Sequence, residues 1–247
     1  MLKYYLILFC FYSLQLNAKS AFDIMKKVEE QSQIVQNQNY EIFMLLTDAK
    51  GKKRERFFEL KKKISTTYSK SLVKFYKPAN IKNTSLLSHS KLASSADPTQ
   101  WLFLPSLRTV QQISSEHKNN SFMGSDFTIL DMAGRAAEKD EHQLMKEDEQ
   151  YYLVKSIPKD KADNYGYMVY LIEKDTNLPI MVEFYDQQKL LLKTLTNQKI
   201  KHEENMYFAT ISIMENKQTN SSAVIEILEY DFISKIFDND VGIKSLH

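Results

Sequence analysis

The stretch YEIFMLLTDAKGKKRERFFELKKKISTTYSKSLVKFYK, residues 40–77, decides the fold. Tyr40 to Asp48, Arg54 to Ser65 and Thr67 to Lys77 read as strands. Ala49-Lys-Gly-Lys52 reads as the first hairpin turn, with Gly51 supplying backbone freedom. Pro78 ends the third strand because it has no N–H for a ladder. A three-stranded antiparallel meander is the expected unit.

Outward from it the same grammar continues. Short strands are expected at Ser85 to Ser90, Gln100 to Leu104 and Val110 to Ser114. Further strands follow at His142 to Lys146, Tyr151 to Ile157, Tyr167 to Lys174, Pro179 to Tyr185, Leu190 to Lys199, Met206 to Met214 and Ala223 to Tyr230. Ala21, Ile24, Met25 and Val28 lie on one face of a helix ending near Gln33, and Phe232 to Phe237 reads as a short terminal helix. Tyr167 to Ile172 and Met206 to Ile213 are apolar on both faces, so each face has something to cover. With 14 Tyr, 14 Phe and one Trp, the composition suits a mainly β chain.

Residues 1–20 read as a cleavable secretory signal, whose apolar run from Leu6 to Leu14 falls far short of the ~20 residues a membrane span needs. Residues 21–247 are then one exported, periplasmic domain. Losing Lys3 and Lys19 from the 33 basic residues balances the 31 acidic ones, which argues against nucleic acid as a partner. Cys10, the one cysteine, lies in the leader, and bulky Phe9 before it argues against a lipoprotein anchor. The exported chain has no thiol for disulfides, catalysis or metal.

Chemistry finds little support. His89, His117, His142, His202 and His247 show no metal spacing. Asp126 and Asp131 lack the carboxylate spacing of a calcium loop, and Ser125 lacks a Gly-x-Ser-x-Gly setting. The acidic runs at 138–141 and 147–149 read as solvated loops. No catalytic residue, metal or cofactor is expected, and the protein is not read as an enzyme. In Asn120-Ser-Phe-Met-Gly-Ser-Asp-Phe-Thr-Ile-Leu-Asp-Met132, Ser125 or Asp126 is a candidate N-cap for a helix over 127–132, with Gly124 permitting the turn into it. Eleven Lys/Arg against Glu55 and Glu59 between Lys50 and Lys77 make a basic patch suited to anionic head groups or an acidic partner, or merely to protecting strand edges.

Three motifs in order carry a resemblance: Phe75-Tyr-Lys-Pro-Ala-Asn-Ile-Lys-Asn-Thr84, Gln100-Trp-Leu-Phe-Leu-Pro105 and Ser121-Phe-Met-Gly-Ser-Asp-Phe127. Together with Leu178-Pro-Ile-Met-Val-Glu-Phe-Tyr-Asp186 they resemble the LolA-like outer-membrane lipoprotein-sorting proteins, in the branch associated with resistance-nodulation-division exporters. One departure is that Arg108 is followed by Thr109, Gln111 and Gln112 where further basic residues are usual. The resemblance implies a curved, half-open antiparallel β-barrel with short helices covering its concave face and an apolar cavity between them. It implies a monomeric periplasmic carrier of lipid or lipoprotein acyl chains, served by an inner-membrane exporter or an outer-membrane acceptor. Trp101, Phe103, Phe122, Met123 and Phe127 are then expected to line or gate the cavity, with Gly124, Ser125 and Asp126 shaping the lid helix. The competing reading is a non-transferring accessory or sensor module that binds a transporter or regulatory protein.

Overall fold

A computed structural model describes residues 20–114 and 117–247, so all but Ser20 of the expected leader lies outside the described residues. Helix α1 (Ala21–Gln31) starts at Ser20, whose Oγ accepts the Asp23 N–H at 3.1 Å and donates to the Asp23 carboxylate at 2.7 Å. Ile24 and Met25 are the buried face of α1, at the expected spacing.

Thirteen strands follow: β1 (Asn37–Thr47), β2 (Lys53–Ile64), β3 (Tyr68–Lys77), β4 (Ser85–Lys91), β5 (Thr99–Leu104), β6 (Thr109–Gln112), β7 (Asp140–Glu147), β8 (Tyr151–Pro158), β9 (Tyr167–Glu173), β10 (Leu178–Tyr185), β11 (Leu191–Glu203), β12 (Met206–Asn216) and β13 (Ser221–Asp231). They form one curved antiparallel sheet in the order β6-β5-β4-β3-β2-β1-β13-β12-β11-β10-β9-β8-β7. Every neighbour except the β1–β13 pair is also a neighbour in sequence, so the fold is two meanders joined along one seam. The β1–β2 hairpin turns where expected. The Asp48 carboxylate accepts the N–H groups of Lys50 and Lys52 at 2.9 and 3.0 Å, and Gly51 has φ +77°.

The inner face holds the main core. Along β1 burial alternates strictly, with Gln38, Tyr40, Ile42, Met44 and Leu46 pointing inward. Phe58 of β2, Phe75 of β3 and Leu86 of β4 share one apolar cluster with Val154 of β8, Ile172 of β9 and Met214 of β12. Strands so far apart in the order meet in one core because the sheet curls. The apolar strands read as two-faced alternate as well: Met168, Tyr170 and Ile172 are buried, while Tyr167, Val169 and Leu171 are half-buried on the outer face.

A second apolar cluster lies on the outer face. There Leu72, Leu87 and Phe103 pack against Ile236, Val241 and Leu246 of the C-terminal segment. The terminal helix expected over 232–237 is absent; single 3-10 turns occur later, at Asp238–Val241 and Ile243–Leu246. The Asp231 carboxylate takes the N–H groups of Ile233 and Ser234, and Asn37 Oδ1 takes that of Ile236 at 3.0 Å. Donors committed to side chains this way are diverted from a helical ladder.

The inner face and its covering loop

β6 and β7 are consecutive in sequence but occupy opposite edges of the sheet. The chain between them therefore crosses from one edge to the other, and its described part from residue 117 packs on the inner face. The local structure at its centre corrects the helix expected over 127–132. Ser121 and Thr128 form an isolated antiparallel bridge, and Phe122 N–H donates to Phe127 O at 2.7 Å. Met123 and Gly124 both have positive φ, at 51° and 76°, and Ser125 N–H closes the turn onto Phe122 O at 3.0 Å. Two successive left-handed residues under such a bond make a type I′ turn, the connection that suits a tight hairpin.

Ser125 and Asp126 thus cap no helix. Ser125 Oγ donates to Phe122 O at 2.7 Å and accepts the Phe127 N–H at 3.2 Å, locking the turn from within. The Asp126 carboxylate accepts from Ser221 Oγ of β13 at 2.6 Å. The helical remnant is one 3-10 turn, Asp131–Ala133, with Leu130 just before it. Thr128 Oγ1 accepts the Asp131 N–H at 3.0 Å while the Asp131 carboxylate accepts the Thr128 N–H at 2.8 Å, the reciprocal pairing of a capping box.

The hairpin drives its aromatics into the core. Phe122 is 2% exposed, with ring centroids 5.7 Å from Phe75 and 6.4 Å from Phe58. Phe127 is buried beside it, and Met123, Ile129 and Met132 are half-buried against the same cluster. Trp101 and Phe103 do not join them. They alternate on β5 with Gln100 and Leu102, and their side of the strand is the outer face. Trp101 meets His89 at 5.0 Å and Phe103 meets His247 at 4.9 Å between ring centroids. Of the five aromatic and methionine residues expected around one cavity, the structure brings together Phe122, Met123 and Phe127.

A polar hub fastens the loop to the far half of the sheet. Lys193 of β11, 3% exposed, donates to the Asp131 carboxylate at 2.7 Å and to Asp126 O at 3.0 Å. Tyr165 OH donates to the same carboxylate at 2.9 Å, and the Lys193 ammonium lies 5.1 Å above the Phe184 ring. Burial, and then the Asp131 charge, push the Tyr165 phenol well above its ordinary pKa, so it stays a donor. On the other side, Gln100 Nε2 reaches Ile129 O at 3.1 Å. Lys193, Tyr165, Thr128, Phe58 and Phe75 were missed as site residues from sequence. Lys193 had a signal, being a lone cation among Leu190, Leu191, Leu192 and Leu195.

Two surface clefts lie apart from this face. One, of about 280 Å³, is lined by residues including Gln33, Ile64 and Leu92. The other, of about 490 Å³, is lined by Ser95, Asp97, Lys139, Lys159, Asp160 and Asp163. The second is polar, and its ions are paired: Lys139 and Lys118 with Asp97, and Arg135 with Asp163 at 3.0 Å.

A family model described as that of an uncharacterized protein matches residues 67–246. No curated protein matches the sequence. A crystal structure from Vibrio parahaemolyticus, of a domain proposed to be an outer membrane lipoprotein-sorting protein, is 28% identical with a TM-score of 0.83, over 92% of this chain and 97% of that one. A DUF1329 family protein from Desulfovibrio piger is 23% identical with a TM-score of 0.85, covering 92% and 98%. A LolA superfamily protein from Nitrosomonas europaea is 17% identical with a TM-score of 0.71, covering 92% and 100%. The last two speak to the fold alone.

Proposed function

The chain belongs to the family whose model, described as that of an uncharacterized protein, matches residues 67–246, and it has the LolA-like fold; on that basis we propose that it is a periplasmic carrier or binding protein for lipid or lipoprotein acyl chains. The observation that carries this reading is Phe122. A side chain on a loop hairpin, not on a strand, is buried on the inner face against the paired rings of Phe58 and Phe75. Loop residues that plug an apolar face can leave it without unravelling the sheet. An acyl chain entering as the hairpin lifts would take over the contacts of Phe122 and Phe127, and each methylene it buries contributes about 0.8 kcal/mol. The Lys193–Asp131–Tyr165 hub is then the latch, since its bonds join loop to sheet and must break for the hairpin to lift.

Extraction of lipid from the purified protein, with displacement of a fluorescent fatty acid, tests the reading. Co-purifying acyl lipid and saturable displacement are expected; finding neither would discard it. The second reading, a module that binds a membrane protein without carrying cargo, draws on the outer face. Ile233 at 89% exposed and Phe237 at 59% stand on the C-terminal segment beside the basic strands. A stable envelope-protein complex together with an empty inner face would favour it.

A further inference from the structure

Two arginines stand side by side on the inner face of β2. Arg54 pairs across β1 with Leu46 and Arg56 with Met44, both core residues, so the two arginine side chains leave the strand on the core side. Arg56 is 8% exposed, its Nη1 donates to Glu55 O at 3.0 Å, and its buried Nε has no hydrogen-bond partner. Arg54 reaches the tip of the loop hairpin, where a Cβ on Gly124 would lie 3.6 Å from Nη1. Among the described residues neither guanidinium has a carboxylate within ion-pair distance. The acids of the adjacent loop are committed elsewhere, Asp126 to Ser221 and Asp131 to Lys193 and Tyr165.

This arrangement is costly as it stands. A buried charge normally has a partner, and a buried N–H left unpaired forfeits its solvation. Desolvation, followed by repulsion from Arg54, lowers the Arg56 pKa, and no anion offsets either effect. Two adjacent forks of planar N–H donors match an oxyanion bearing two or three oxygens.

We propose that Arg54 and Arg56 form an oxyanion subsite beside Gly124, which takes the phosphate or carboxylate of an acyl ligand while its chain lies along the inner face. The inference rests on the carrier reading and specifies its ligand as an anionic amphiphile. Because the hairpin tip touches Arg54, an anion there would act on the same segment that covers the core. Headgroup binding and hairpin displacement would be one event.

The test is calorimetric titration of delipidated protein with three probes: dodecyl phosphate, the neutral amphiphile monolaurin, and inorganic phosphate. Dodecyl phosphate is expected to bind about tenfold or more tightly than monolaurin, as charge-assisted bonds imply. Arg56→Gln should collapse that ratio. Arg54→Gln, at an exposed position, should shrink it as well and guards against misfolding of the buried variant. Equal affinity for the two amphiphiles, or a ratio unchanged in both variants, overturns the subsite and leaves the carrier reading standing. Arginine-dependent binding of inorganic phosphate with no binding of either amphiphile overturns the headgroup assignment and the carrier reading together. If none of the three probes binds, both proposals fail.

Discussion

Two irregular segments cover the two faces of one sheet, and they are held in opposite ways. The loop hairpin on the inner face is fastened by a buried hub, with Lys193 at 3% exposed, and by Phe122 at 2%. The C-terminal segment on the outer face is held by Ile236, Val241 and Leu246 and by charges in open solvent. Asp238, with its side chain 71% exposed, bridges Lys63 at 3.4 Å and Lys70 at 3.2 Å, and Lys74 donates to His247 O at 2.6 Å. Part of the basic patch of β2 and β3 is thus spent within the chain. A buried ionic hub resists partial loosening, because removing one member strands a charge in low dielectric. Surface pairs are screened and worth little one at a time. The inner cover should therefore open as a unit, and the outer one should fray.

Breaking the inner cover should have the largest effect. Phe122→Ala removes a fully enclosed ring, and a loss of about 4 kcal/mol is expected by chemical denaturation. The same variant should take up a fluorescent fatty acid faster, because the plug is gone. Lys193→Ala leaves Asp131 and Tyr165 facing each other without the cation, at a cost of about 3 kcal/mol. If this variant unfolds no more easily than the wild type, the latch is misassigned.

Titration sharpens the contrast. Lys62 leaves β2 on the inner side and donates to Ser32 O at 3.1 Å; burial lowers its pKa from an ordinary 10.5 to about 8. The unfolded chain then binds more protons between those values, so stability should climb as pH rises from about 8 to about 10.5. Lys62→Met should remove that climb. The smallest effect belongs to the outer face. Lys70, then Lys63, holds the Asp238 carboxyl below its usual range, so its contribution is present above the ordinary aspartate pKa and lost as acid protonates it. Asp238→Asn should shift the denaturation midpoint slightly at low salt and not at all in 1 M salt, where screening is nearly complete over such distances.

How far the sequence could be read follows from the range of the forces involved. The strands, the turn at Asp48 to Lys52 and the end of β3 at Pro78 rest on local chemistry, and each lies within a few residues of where the sequence pattern put it. The helix over 127–132 failed because Ser, Asp and Gly serve a hairpin turn as readily as a helix start. What decided between them were partners far along the chain, Ser221 for Asp126 and Lys193 for Asp131. Met123-Gly124 is also a poor advertisement for a type I′ turn, which favours Asn or Asp first. The order of motifs located the loop that matters, but not its shape.

Trp101 and Phe103 mark the boundary most sharply. By itself the sequence determined that they share one face of a strand, that the chain is mainly antiparallel β, and that residues 121–127 are out of the ordinary. Only the tertiary structure decided that their face is the outer one, covered by the C-terminal segment, while Phe122 and Phe127 fill the inner one. A period of two defines two faces of a strand without saying which is the inside of the curl. That choice belongs to the curvature of thirteen strands and to the segments that cross them.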